Sequence, residues 1–153
     1  MIRHLLSIPD CRRDEIVALL ELARQLKTNG LPPDLAQVTR GKVLGLLFQK
    51  PSTRTRVSFE VGMAQLGGSS VFMTEHDLQL TRGESVSDSA AVLSRYLNVV
   101  VLRAHTHEFV ETFANHATIP VINGLTDLLH PCQILSDLLT MQEHCGRISD
   151  LKV

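Results

Sequence analysis

The chain has 153 residues, 44% of them hydrophobic and 20% charged, which suffices for one ordinary core rather than two. A formal net charge of −1 and a pI near 6.6 give no reason to invoke nucleic acid or a membrane surface as partner, and no stretch approaches the ~18 uncharged apolar residues of a spanning helix. Cys11, Cys132 and Cys145 are odd in number and lack metal-ligand spacing, and charged residues rather than a long apolar run follow Met1 to Ser7, so we expect free thiols, no metal, and a soluble, unexported, cytoplasmic protein.

After Ile8-Pro9-Asp10, the spacing of Ile16, Leu19, Leu20, Ala23 and Leu26 predicts a helix from Arg12 to Lys27, ended by Asn29-Gly30. Leu31 to Arg40 contains Pro32-Pro33 and reads as a connection. Lys42-Val43-Leu44-Gly45-Leu46-Leu47-Phe48 has the near-continuous hydrophobicity of a strand buried on both faces. The helix that follows Pro51-Ser52 carries Val57, Val61 and Ala64 at helical spacing, beside Phe59, Met63 and Leu66, and stops at Gly67-Gly68. A second strand is expected at Ser69 to Met73, then a loop from Thr74 to Glu84 and a helix from Ser85 to Leu97. Val99 to Arg103 reads as a third strand, Thr106 to Ala117 as a helix capped by Thr106, and Pro120 to Gly124 as a fourth strand. The last helix should begin near Pro131, a proline suited to a first helical position, and run to His144.

Strands alternating with helices imply an α/β domain: a doubly wound, mainly parallel four-stranded sheet flanked by helices. Its ligands should collect at the strands' carboxyl ends, where Ser52 to Arg56, Arg103, and Asn123 to Gln133 would converge. No repeat, low-complexity tract or internal linker is visible, and neither the dinucleotide fingerprint nor the Gly-x-x-x-x-Gly-Lys-Ser/Thr loop occurs. Residues 1–150 are read as one domain, and 151–153 as the start of a strand leading to a second half.

The stretch that organises the rest is Gln49-Lys50-Pro51-Ser52-Thr53-Arg54-Thr55-Arg56. At a helix start the first backbone N–H groups lack partners, and a phosphate satisfies both them and the dipole. Arg54 and Arg56 would oppose that dipole by ~0.3–1 kcal/mol each unless an anion is bound. The plainer alternative bends these arginines away toward carboxylates such as Glu60, four residues beyond Arg56.

Ser-Thr-Arg-Thr-Arg after a buried strand resembles the carbamoyl-phosphate motif of the aspartate and ornithine carbamoyltransferase family. His130-Pro131-Cys132-Gln133, preceded by Asn123-Gly124-Leu125-Thr126-Asp127, is similar to the ornithine branch rather than the aspartate branch, which usually carries Asn-Ala-Gly-Asp-Gly there. The resemblance extends through Gly83-Glu84-Ser85, Val92 to Tyr96 and Asp137 to Thr140. It implies that Ser52, Thr53, Arg54 and Thr55 bind the phosphate of carbamoyl phosphate. It implies also that Arg103 and His130 reach the carbamoyl oxygen and Gln133 the carbamoyl nitrogen. Gln79 would be lent to the site of a neighbouring subunit, which implies a homotrimer.

The implied reaction transfers the carbamoyl group to L-ornithine, giving citrulline and phosphate for arginine biosynthesis, with Thr55, Arg103 and His130 as the catalytic donors. It needs no protein nucleophile and no cofactor. The family's second domain, with its Asp-x-x-x-Ser-Met-Gly and His-Cys-Leu-Pro elements, has no counterpart in this sequence, so the chain alone should bind better than it turns over. Two other readings stand beside this one: a binding or assembly module without turnover, and a carbamoyltransferase for another amine. His105, His107 and His116 read as surface or capping residues, and Cys132 as a packed thiol.

Overall fold

The computed structural model describes residues 3–75, 77 and 83–146. A 3₁₀ turn at Ile8–Asp10 leads into α1 (Arg13–Asn29) and α2 (Pro33–Thr39). The remaining elements are β1 (Val43–Phe48), α3 (Thr53–Gln65), β2 (Ser69–Thr74), α4 (Val86–Leu93), β3 (Val99–Arg103), α5 (His107–His116), β4 (Val121–Leu125) and α6 (Pro131–Cys145). All strand pairs are parallel and the order is β2-β1-β3-β4. This is the expected doubly wound four-stranded α/β sheet.

The strands alternate their side chains between two cores. Leu44, Leu46 and Phe48 of β1 and Val101 of β3 pack with Met63 and Phe59 of α3. Leu47 of β1 and Val100 and Leu102 of β3 pack on the opposite face with Ala90 of α4 and Val110 and Phe113 of α5. Burial on both faces is why these strands read as unbroken apolar runs. The chain leaves β1 toward β2 by way of α3 on one face, then crosses by way of α4 on the other to β3, on the far side of β1. The reversal lies between β1 and β3, where the paired residues Phe48 and Arg103 end their strands side by side.

The N-terminal segment adds to the outer edge of β4, where Leu5 N–H donates to Val121 O (2.9 Å) and Asn123 N–H to Leu5 O (2.8 Å). Asp10 closes the turn behind it by accepting the N–H groups of Leu6 and Ser7, both at 2.7 Å. Helix α1 then starts where Glu15 reaches back to Arg12 N–H (2.8 Å) and stops at Gly30, whose φ of 77° suits glycine.

Two expectations are corrected, and the structure shows which stripe of α3 is buried. Leu31 to Arg40 is not simply a connection: Pro33 occupies the first position of α2, its fixed φ suits that place, and Asp34 follows in the first turn. The helix expected from Ser85 to Leu97 ends at Leu93. There the Arg95 N–H turns to Val92 O, while Ser94 Oγ donates to Ala90 O (2.7 Å) and accepts Thr118 N–H (3.0 Å). On α3 the Val57, Val61 and Ala64 stripe faces outward, with Val57 49% and Val61 48% exposed, while Met63 at 8% and Phe59 meet the sheet. Parts of the expected Thr74 to Glu84 loop and all of 151–153 lie outside the described residues.

Candidate anion-binding cleft at the sheet reversal

Helix α3 begins directly beyond the carboxyl end of β1, with Ser52 extended (φ −161°) as its N-cap. Ser52 Oγ accepts the Thr55 N–H (3.4 Å) and donates to Thr55 Oγ1 (3.0 Å). The two hydroxyls are thereby fixed at the helix start, where backbone donors and dipole favour an anion. Among the described residues none forms a hydrogen bond or ion pair with the side chain of Arg54, in the second position of the helix. A cation there raises the dipole energy, which an anion would offset.

Arg103 closes β3. Gln49 pins it from β1: the Gln49 N–H donates to Arg103 O (2.8 Å), and Gln49 Oε1 accepts the His105 N–H (2.9 Å). On the β4 side the ladder shifts at Leu102 and Arg103, pairing Leu102 with Asn123 but Arg103 with Leu125, so Gly124 is bulged. A Cβ on Gly124 would lie 2.8 Å from Val101 Cγ1 and 3.2 Å from Leu102 O, a close approach that glycine allows. The Arg103 Nε is buried and has no hydrogen-bond partner among the described residues. Partial burial lowers its guanidinium pKa from the usual arginine range.

The third wall is the turn from β4 into α6. Asn123, 0% exposed, donates from Nδ2 to Leu6 O (3.0 Å) and Leu129 O (3.3 Å) and accepts the Leu125 N–H (3.0 Å). Thr126 Oγ1 accepts the N–H groups of Leu128 (3.3 Å) and Leu129 (3.0 Å). These bonds hold the turn that ends at His130, the N-cap of α6, whose Nδ1 accepts the Gln133 N–H (3.4 Å). An accepting Nδ1 leaves the proton of the neutral ring on Nε2. Burial, and then the positive charge of Arg103, push the His130 pKa below 6.5, with Asp137 pulling the other way. Gln133 Nε2 donates to Asp137 Oδ1 (2.8 Å), so its Oε1 is the end of the amide left to accept.

Six of the eight expected site residues, Ser52, Arg54, Thr55, Arg103, His130 and Gln133, line one cleft of about 500 Å³. Thr53 does not: it faces a neighbouring groove of about 680 Å³ on the other side of the start of α3. That larger groove also holds Arg56, whose Nε donates to Glu60 (3.0 Å) and whose guanidinium lies 3.8 Å above the Phe72 ring. For Arg56 the plainer reading was therefore the right one. Its charge is already engaged, whereas Arg54 and Arg103 offer theirs, so the smaller cleft is the better anion site. Gln79 lies outside the described residues.

Ser58 and Ser136, which sequence reasoning passed over, also line the cleft. Ser58 lies three residues beyond Thr55, and Ser136 three beyond Gln133, so helical spacing alone could have found both. His107 is not a surface residue, as its side chain is only 14% exposed and its Nδ1 lies 3.2 Å from Thr126 Oγ1. Cys132 is held by burial at a pKa of about 11 and points its thiol at Asn123 O (3.4 Å), so it is neither ionised nor activated at neutral pH. Among the described residues no cluster of His, Cys, Asp and Glu could hold a metal ion. The cleft thus presents two guanidinium groups, the hydroxyls of Ser52, Thr55, Ser58 and Ser136, an imidazole N–H and one amide acceptor, a set able to bind a phosphate joined to a small polar acyl group.

The family described as aspartate/ornithine carbamoyltransferase, carbamoyl-P binding domain, matches residues 3–143. Ornithine carbamoyltransferase of Syntrophus aciditrophicus is 54% identical over 153 residues, all of this chain and 51% of that protein. The enzyme of the same name from Bacillus subtilis is 52% identical over 151 residues, 99% of this chain and 46% of that protein. Among solved structures, ornithine carbamoyltransferase from Pyrococcus furiosus superposes with a TM-score of 0.86 at 48% identity, covering 95% of this chain and 47% of that one. The chain therefore spans about half the length of the relatives it matches.

Proposed function

The chain belongs to the aspartate/ornithine carbamoyltransferase family, and from that premise we propose that its cleft binds carbamoyl phosphate as one half of an ornithine carbamoyltransferase. The observation that carries this reading is the Arg103 guanidinium, with a buried Nε that has no hydrogen-bond partner among the described residues, lining the same cleft as Arg54 and the capped start of α3. The phosphate lies at the helix start, against Ser52, Thr55 and Arg54, whose planar fork matches two phosphate oxygens. Thr53 contributes its backbone N–H rather than its side chain, which lies in the other groove. The carbamoyl oxygen is directed toward Thr55, Arg103 and the Nε2–H of His130, and the carbamoyl NH₂ toward Gln133 Oε1.

The reaction follows from the charges. The ornithine amine attacks the carbonyl carbon, a C–N bond forms, charge gathers on the carbonyl oxygen, and the C–O bond to phosphate breaks as the amine gives up its proton. Donors aimed at that oxygen stabilise the transition state more than the substrate, by about 3–4 kcal/mol for each well-placed one. A second domain, entered through residues 151–153, supplies the ornithine site, and Gln79 reaches the cleft of a neighbouring subunit in a homotrimer. The product, citrulline, feeds arginine biosynthesis in the cytoplasm.

Titration calorimetry of carbamoyl phosphate into the purified chain tests the binding half of this reading. Saturable binding that competes with inorganic phosphate supports it, and no heat at millimolar ligand sinks it.

A further inference from the structure

The reading of Gln133 as the contact for the carbamoyl nitrogen depends on which end of its amide faces the cleft, and that choice is made by a residue outside it. Gln133 lines the cleft and Asp137 does not. The two lie one turn apart on α6, and Gln133 Nε2 donates to Asp137 Oδ1 at 2.8 Å. An ionised carboxylate only accepts, so rotating the amide by half a turn would set Oε1 against Oδ1, oxygen against oxygen. The Gln133 backbone is fixed as well, since its N–H is bound to His130 at Nδ1 (3.4 Å) and O (3.1 Å).

We propose that Asp137 is a specificity-determining positioning residue: it locks Gln133 with Oε1 toward the cleft, so that the site selects an acyl phosphate bearing an N–H donor over one bearing a methyl group. The inference rests on the carbamoyl-phosphate reading above. It extends that reading by assigning the selection between acyl groups to a side chain that never touches the ligand. Without the carboxylate the amide rotates freely. Half of its orientations then offer Nε2 to the ligand, and two N–H donors face each other.

The test compares carbamoyl phosphate, acetyl phosphate and inorganic phosphate as ligands of the wild-type chain, Asp137→Ala and Asp137→Asn. The wild type should prefer carbamoyl over acetyl phosphate by about tenfold, the worth of one buried hydrogen bond. In Asp137→Ala that ratio should fall by about twofold, because half of the orientations stay competent, with the affinities for acetyl phosphate and inorganic phosphate unchanged. Asp137→Asn keeps an acceptor but can also donate, so its ratio should lie between the two. An unchanged ratio in Asp137→Ala, or an equal loss for all three ligands, overturns the role of Asp137 while leaving carbamoyl-phosphate binding intact. A wild-type chain that binds neither acyl phosphate overturns the underlying reading instead.

Discussion

Ser52 and His130 occupy matching positions on opposite walls of the cleft. Each is the N-cap of the helix that follows a strand, and each accepts the backbone N–H three residues on, Ser52 from Thr55 and His130 from Gln133, both at 3.4 Å. A side chain that caps a helix cannot swing freely. The cleft is therefore walled by groups whose orientation is set by backbone geometry before any ligand arrives.

Arg54→Lys tests the phosphate contact. Lysine keeps the charge but loses the planar fork, so carbamoyl-phosphate affinity should fall about tenfold, on the order of 1.4 kcal/mol. Arg54 has no partner to lose among the described residues, so the melting temperature should hold. Unchanged affinity in calorimetry would remove Arg54 from the site.

Arg103→Met separates function from stability. The methionine fills much of the same space without a buried nitrogen that lacks a partner among the described residues, so the ligand-free chain should be as stable as the wild type, or up to ~1 kcal/mol more. Ligand affinity should drop by at least tenfold. A clear fall in the unfolding midpoint in urea would mean that Arg103 supports the fold rather than the ligand.

His130 gives a pH dependence. The capping form is the neutral ring, and its folded pKa lies below 6.5. Its contribution is thus complete above 6.5 and lost as pH falls through the lower folded value, when the proton taken by Nδ1 displaces the Gln133 N–H. The ring signals of His130 in NMR should titrate below the ordinary histidine value of 6.5. A midpoint above 6.5 would contradict the assignment.

The thiols should differ in reactivity. Cys145 is exposed, whereas burial raises Cys132 to about 11. Iodoacetamide at pH 8 should label Cys145 first and spare Cys132 in the folded chain. Labelling of Cys132 at a comparable rate, followed by peptide mass spectrometry, would show that the base of the cleft is open.

Gly124→Ala should destabilise the fold by roughly 1–3 kcal/mol, because the added methyl meets Val101 Cγ1 and the Leu102 carbonyl. The same strain would shift the Arg103 pairing, so binding should weaken too. A thermal melt identical to the wild type would show that the bulge relaxes without cost.

Strands β1 and β3 were legible because two-sided burial writes them as apolar runs, and the carboxyl-end cleft followed from the alternation of strands with helices. Helix α3 was legible as a helix, but its buried face was not, since it carries two apolar stripes: size decides between them, and the sheet takes Phe59 and Met63 over the slimmer valines. The pair Pro32-Pro33 was ambiguous for a similar reason, because proline both breaks a helix and opens one. Ser52 to Arg56 was recognisable as an anion motif, yet sequence could not say which arginine keeps its charge available. That was settled by Glu60 and Phe72, which engage Arg56 and leave Arg54 alone. The orientation of Gln133 was likewise invisible until Asp137 was seen one turn away.

The strand-edge contact of Leu5, with the Asn123 amide bound to Leu6 O from 117 positions along the chain, governs the order of assembly. Leu5 and Leu6 precede β4 in the chain and must wait for it before they find their seat, so they dock late and over a long loop. Until they do, the turn that presents His130 lacks one of its anchors, and Leu5 and Leu6 act as the latch that finishes a site they never touch.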